Sequence, residues 1–151
     1  MLQYRSALTD DVPQLLKLEQ CVVEAERPFN TAIKAGKPVY YDLPALIADD
    51  NALLLVADSC GEIVGTGYGQ ILKSKVSLNH DYHCYLGFMY VAPDNRGQGV
   101  NQEIIQRITK WSKSRGVNDF YLDVYAGNEP AIKAYQKSGF IPNMLEMKLH
   151  L

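Results

Sequence analysis

The chain has 151 residues, 47% of them hydrophobic and 21% charged. Those values fit one globular domain with its own core and exclude disorder, collagen and fibrous repeats. Fifteen Lys and Arg against seventeen Asp and Glu leave a net charge of −2, which excludes the strong basic excess of a domain held mainly to nucleic-acid phosphates. The apolar runs, such as Ala52 to Ala57, are far shorter than a membrane span. Met1-Leu2-Gln3-Tyr4-Arg5 lacks the regions of a signal peptide. Cys21, Cys60 and Cys84 are odd in number and form no CxxC pair. Each is expected to be a small buried or half-buried side chain in a reducing cytoplasm. The expectation is a single cytoplasmic domain over residues 1–151, with no nucleic-acid partner, no membrane and no metal.

Leu2 to Ala7 reads as a first strand. Thr9-Asp10-Asp11 offers a helix cap with acidic residues where the helix dipole favours them. Val12, Leu15, Leu16, Leu18, Val22 and Val23 supply an apolar helical face as far as about Glu24. Glu26 to Tyr41 contains Pro28, Gly36 and Pro38 and reads as loop with one helical turn, followed by a short helix over Leu43 to Asp49. Strands are expected at Ala52 to Ala57 and, after the turn Asp58-Ser59-Cys60-Gly61, at Glu62 to Leu72. Gly65, Gly67 and Gly69 share one parity of the latter, which would admit a neighbouring backbone or a ligand, or mark a bent strand.

Tyr82 to Val91 is apolar or aromatic on both parities, as in a strand buried on both faces. Val100, Ile104, Ile105, Ile108 and Trp111 form the buried stripe of a helix from Gly99 to Arg115, which Gly116 can stop. Asp119 to Ala126 reads as a strand, Asn128 caps a helix running to Ser138, and Met144 to Leu151 reads as a last strand. The order β-α-α-β-β-β-α-β-α-β indicates a mixed α/β fold, a central sheet with helices on both faces.

The stretch most informative about chemistry is Val91-Ala92-Pro93-Asp94-Asn95-Arg96-Gly97-Gln98-Gly99-Val100-Asn101. A buried strand there enters a glycine turn and a long helix begins at once, so the free N–H groups of the helix start make an anion site. Gly97 and Gly99 let the chain bend and a phosphate approach, and Arg96 adds a forked cation. Neither GxxxxGK[ST] nor GxGxxG is present; the last glycine of the latter would fall at Gln102.

Arg96-Gly97-Gln98-Gly99-Val100-Asn101 resembles the central motif of the GCN5-related N-acetyltransferase superfamily, an Arg or Gln followed by x-x-Gly-x-Gly or Ala. It matches at Arg96 and Gly99 and departs at Asn101, where the family has a small residue. Leu122 to Phe140 looks like the same family's second signature: a strand, then Asn128, then Ala131 and Tyr135 on a helix, then Gly139-Phe140. The two motifs cover roughly the last 65 residues, and their joint occurrence is far more specific than either alone.

The resemblance implies acetyl transfer from acetyl-coenzyme A to a primary amine without a metal. It places the pyrophosphate on Arg96, Gly97, Gln98, Gly99, Val100, Asn101 and Gln102. The pantetheine arm falls along Met89, Tyr90 and Val91, where one amide can also hold the thioester oxygen. Tyr135 matches the family's general acid, and Asn128 the residue that holds the pantetheine arm, although helix capping accounts for Asn128 equally well. Asp123 is the leading base on this reading, with His83 and Asp81 as alternatives and a structural salt bridge as the competing role for Asp123.

The acceptor is expected against the loop Glu24 to Asp42. Its charges cancel, with Glu24, Glu26 and Asp42 against Arg27, Lys34 and Lys37, so no acidic trough for a polycation is visible. Phe29, Tyr40 and Tyr41 either line a pocket or pack the loop onto the sheet. A small-molecule amine is favoured; a protein N-terminus or lysine, and a non-catalytic acyl-coenzyme A sensor, are the alternatives. The final segment is also a possible edge strand for a homodimer, with packing in its own sheet the simpler expectation.

Overall fold

A computed structural model describes residues 1–151. Five strands form one mixed sheet in sequence order: β1 (Leu2–Ser6), β2 (Ala52–Ser59), β3 (Glu62–Lys73), β4 (Tyr82–Val91) and β5 (Phe120–Tyr121). The first four pair antiparallel, and β5 joins β4 in parallel. Helices α1 (Val12–Glu26) and α2 (Leu43–Ala48) precede β2, α3 (Val100–Ser114) lies between β4 and β5, and α4 (Glu129–Lys137) follows β5.

The sheet separates two apolar cores. Leu54 and Val56 of β2 face α1 and α2, meeting Leu15, Val22, Leu43 and Leu46. Leu55 and Ala57 face α3, meeting Val100, Ile104, Ile105 and Ile108. A strand covered on both faces must be apolar at both parities, which is why Ala52 to Ala57 shows no alternation.

The three β3 glycines seat a helix. A Cβ built at Gly65 would lie 2.9 Å from Val100 Cγ1, and one at Gly67 would lie 2.9 Å from Ile104 Cγ2. At Gly69 it would overlap Ile108 Cγ2. The contacts fall on one stripe of α3 at four-residue spacing, so the row lets α3 approach the sheet closely. Side chains of the neighbouring strand, Met89 beside Gly67 and Cys84 beside Gly69, fill the rest of that space.

Several expectations are corrected. The strand expected over Asp119–Ala126 is reduced to Phe120–Tyr121, paired with Cys84 and Tyr85. Beyond that point β4 bulges and turns away, with Phe88 at φ 52°, so Leu122 onward finds no ladder partner. The last strand, Met144–Leu151, is absent: after Phe140 the chain leaves the sheet, and every residue from Ile141 on is exposed. Cys21 and Cys60 are exposed, Cys60 in the left-handed turn after β2, and only Cys84 is buried.

The Thr9-Asp10-Asp11 segment forms a 3-10 turn ahead of α1, and Asp11 stands at the N-cap position of α1 without a side-chain capping bond to it. Asp11 instead accepts the Leu8 N–H at 2.7 Å and a two-pronged pair from Arg5 at 2.7 and 3.0 Å. On α1, Leu16 is exposed, whereas Glu19 is fully buried. Its Oε2 accepts the N–H groups of Tyr40 and Tyr41 at 3.0 and 2.8 Å. That carboxylate ties the loop to α1, and Tyr41 stacks on Phe88 of the sheet with centroids 4.6 Å apart.

Candidate active site

The glycine turn leaves its donors free. Gly97 and Gly99 adopt φ of 76° and 79°, conformations that favour glycine. The first helical bond of α3 runs from Glu103 N to Gly99 O at 3.0 Å. The N–H groups from Gly97 through Gln102 have no acceptor within the protein. Consecutive free donors at the positive end of a helix dipole form a cradle suited to a pyrophosphate. Val100 itself is buried and anchors the helix start in the core. Asn101 is half-buried, and its side-chain amide makes no hydrogen bond within the protein, leaving it able to donate beside the cradle. Arg96 is exposed but held: its Nε donates to Val91 O at 2.9 Å, and its guanidinium lies 5.5 Å from the Tyr90 ring centroid.

The second part of the site is the opening between β4 and the segment after β5. The two strands pair only at Cys84–Phe120 and Tyr85–Tyr121, so the β4 edge toward Met89 and Tyr90 is free on that side. Phe88 is fully buried and carries the positive φ of the bulge. Packing against Tyr41 holds it in a sparsely populated conformation that separates the strands.

A cleft of about 130 Å³ lies in this opening. Met89, Tyr90, Asp123, Asn128 and Tyr135 all line it, as do Val22, Ala25 and Glu26 from α1. Tyr135 comes from the α4 face that packs on Phe140 (centroids 6.0 Å), and burial together with the nearby Glu26 charge pushes its hydroxyl up to about 12. It is therefore protonated at neutral pH, as a proton donor must be. The Asn128 side chain accepts from Ala131 N at a long 3.4 Å, so it caps α4 weakly while facing the cleft.

Asp123 is exposed and accepts the Tyr85 hydroxyl at 3.0 Å. No ion pair engages it, which removes the salt-bridge reading. His83 and Asp81 are not brought to the cleft. His83 Nδ1 bonds Ser74 Oγ at 2.9 Å, and the same oxygen meets His80 Nδ1 at 2.8 Å, in a network at the start of β4.

Glu26 is the functional candidate that sequence reasoning left among the loop charges. It sits at the end of α1, two residues past the expected helix end, and burial raises its carboxyl above the ordinary value. The signal was one turn of spacing: Val22, Ala25 and Glu26 share a helix face. The loop beyond is anchored by Arg27, paired with Glu24 at 2.8 Å and bonded to the carbonyls of Lys34 and Gly36. A larger, wide-open hollow of about 510 Å³ lies between α1 and residues 39–44; Tyr40 and Tyr41 of the expected acceptor loop line it, and none of the expected catalytic or cofactor residues does.

The profile of the Acetyltransferase (GNAT) family matches residues 19–140. The chain belongs to that family. Among curated GNAT relatives, it is 31% identical over 133 residues to the acetyltransferase SG1711 of Sodalis glossinidius, covering 85% of this chain and 79% of that protein. Its matches to four other curated relatives span 23% to 63% of their lengths.

Solved structures share the fold at lower identity. The BH1408 protein of Bacillus halodurans, as a tetramutant, superposes with a TM-score of 0.86 at 22% identity over 99% of both chains. A predicted acetyltransferase of Clostridium acetobutylicum, solved with acetyl-CoA, gives 0.74 at 19% identity over 99% of this chain and 96% of that one. In this GNAT chain Arg96 of the first signature packs over Tyr90, which lines the cleft together with Asn128 and Tyr135 of the second. No helix is long and apolar enough to cross a membrane.

Proposed function

We propose that this protein transfers an acetyl group from acetyl-coenzyme A to the primary amine of a small molecule by direct attack. The observation that carries the reading is the donor-only turn, Gly97 to Gln102, linked through Arg96 and Tyr90 to the cleft that holds Tyr135 and two carboxylates. The turn takes the pyrophosphate, with Arg96 contributing charge from its two remaining nitrogens. The free edge of Met89, Tyr90 and Val91 takes the pantetheine arm, helped by the Asn128 amide. An N–H of that edge stabilises negative charge developing on the thioester oxygen.

The amine nitrogen bonds the acetyl carbon, the carbon–sulfur bond breaks, the departing sulfur takes the Tyr135 proton, and the surplus proton on the nitrogen restores the Tyr135 hydroxyl through water. An ammonium group must first lose a proton. Asp123 accepts it, directly or through one water. Glu26 is the second reading for that role, favoured by the burial that raises its proton affinity. The three free cysteines suit a reducing cytoplasm.

Calorimetric titration with acetyl-coenzyme A, then free-thiol release with a panel of amines and peptides, tests the assignment. Tyr135→Phe should retain cofactor affinity while turnover falls 10²–10⁴-fold, the range of a general acid. Unchanged turnover removes Tyr135 from the chemistry. Asp123→Asn and Glu26→Gln separate the bases: the true one, when replaced, abolishes the acidic limb of the pH–rate profile. Turnover with peptides alone would move the acceptor to protein amines. Binding without turnover on any amine would leave an acyl-coenzyme A sensor.

A further inference from the structure

The charges that cancel along the loop sequence do not cancel inside the cleft. Glu24 and Arg27 pair with each other at 2.8 Å, Asp42 accepts the Ala45 N–H at 3.1 Å, and Lys34 and Lys37 stand exposed on the loop. Glu26 is left over. It lines the cleft together with Asp123, no ion pair engages either, and no Lys or Arg is among the lining residues. Two turns before Glu26 on the same stripe of α1, Glu19 is fully buried, and its Oε1 has no hydrogen-bond partner. Burial first, then the charge of Glu26 and, last, that of Glu19 push up the Tyr41 hydroxyl, so both acids act on one point. A carboxylate withdrawn from water is costly until a cation answers it. An ammonium group, with three donors and no acceptor, matches a wall of acceptors.

We propose, resting on the acetyl-transfer reading, that the acceptor is a short diamine: one nitrogen stands before Asp123 and is acetylated, while the other is held as an ammonium by Glu26. The diamine enters with two positive charges against two carboxylates. Once Asp123 has taken a proton from one ammonium, both that acid and the freed amine are neutral, and the remaining ammonium still balances Glu26. The products are the mono-acetylated diamine and the coenzyme A thiol. Tyr125 also lines the cleft, fixed by Asn30 Nδ2, which donates to its hydroxyl at 2.9 Å; its ring is of the kind that attracts cations. Both acids border a single cleft of about 130 Å³, so the chain between the nitrogens is short. An acceptor bearing a carboxylate, such as an amino acid, would meet two like charges there.

Free-thiol release is measured with propane-, butane- and pentane-diamine, with the n-alkylamines of the same lengths, and with the matching ω-amino acids. The best diamine should exceed its monoamine in kcat/KM by roughly tenfold or more, the worth of a hydrogen-bonded charge pair. The amino acids should fall below the monoamines. Glu26→Gln should remove most of the diamine's advantage by raising its KM, whereas Asp123→Asn should lower kcat for diamine and monoamine alike and keep their ratio. Calorimetric titration of butane-diamine into the protein saturated with coenzyme A gives a readout independent of turnover. Saturable binding that depends on Glu26, without thiol release, would keep the diamine site and sink the transfer chemistry. Turnover in which monoamines match the diamines, or a preference that survives Glu26→Gln, would overturn the diamine assignment and keep the transfer chemistry.

Discussion

Replacing Gly69 with alanine places a methyl group where α3 now rests. The added Cβ overlaps Ile108 Cγ2 and lies 2.9 Å from Cys84 Sγ. Both neighbours are fully buried, so neither can swing aside. Overpacking of this kind costs about 1–3 kcal/mol, offset by about 0.4–1 kcal/mol from the stiffer unfolded chain. The expected net destabilisation is about 1–2 kcal/mol, or a Tm lower by about 2–8 °C in a domain of this size. Urea unfolding followed by circular dichroism measures it.

A functional consequence follows from the same row of glycines. Gly65 bears on Val100, the first residue of α3, so lifting the helix tilts the donors at Gly97 to Gln102. Acetyl-coenzyme A affinity should fall several-fold although no cofactor-facing residue has changed. Ile108→Ala vacates the disputed space, so the double variant should lose less than the sum of the singles, with a coupling of about 0.5–3 kcal/mol. A Gly69→Ala protein within about 0.5 kcal/mol of the parent, or strict additivity with Ile108→Ala, would show that the helix is not seated by this row.

Arg5→Ala leaves Asp11 and Asp58 without the guanidinium that bonds both and should cost about 1–3 kcal/mol in urea unfolding. Arg5→Lys should recover only part of this, because an ammonium cannot make the two-pronged pair; full recovery would show that charge alone matters. Glu19→Ala removes the acceptor for the Tyr40 and Tyr41 amides and should accelerate their hydrogen exchange, whereas Glu19→Gln, which keeps an acceptor oxygen, should do so less. Equal exchange in the parent and both variants would show that Tyr41 stacking holds the loop unaided.

Burial, and then the neighbouring His80, hold His83 below its ordinary value of 6.5. The unfolded chain therefore binds this proton more readily than the native protein. The contribution is complete above pH 6.5 and is lost as pH falls from there toward the lower native value. The urea midpoint should drop across that window, and His83→Gln should remove that part of the slope. A profile unaltered by the substitution would show that other groups set it.

The element types along most of the chain were legible because each is written locally. The apolar stripe of α3 repeats at helical spacing, Gly116 stands where its left-handed φ of 78° ends that helix, and Asn128 stands at the cap of α4. The turn of unpaired amides could also be read in advance, since free amides at a helix start follow from chain geometry alone. What lay beyond the sequence depends on neighbours distant in it. The β3 glycines acquired their role only when α3 came to rest on them. Glu19 was concealed on a polar-looking turn of α1 because its partners, Tyr40 and Tyr41, are 21 and 22 residues away in the sequence. Asp123 and Glu26 became one site only through the bulge at Phe88, which parts β4 from β5. The tail shows the same division most clearly. Alternation marks Leu145 to Leu151 as strand, but a strand exists only when another edge accepts its hydrogen bonds, and the five-stranded sheet of this chain does not take it in.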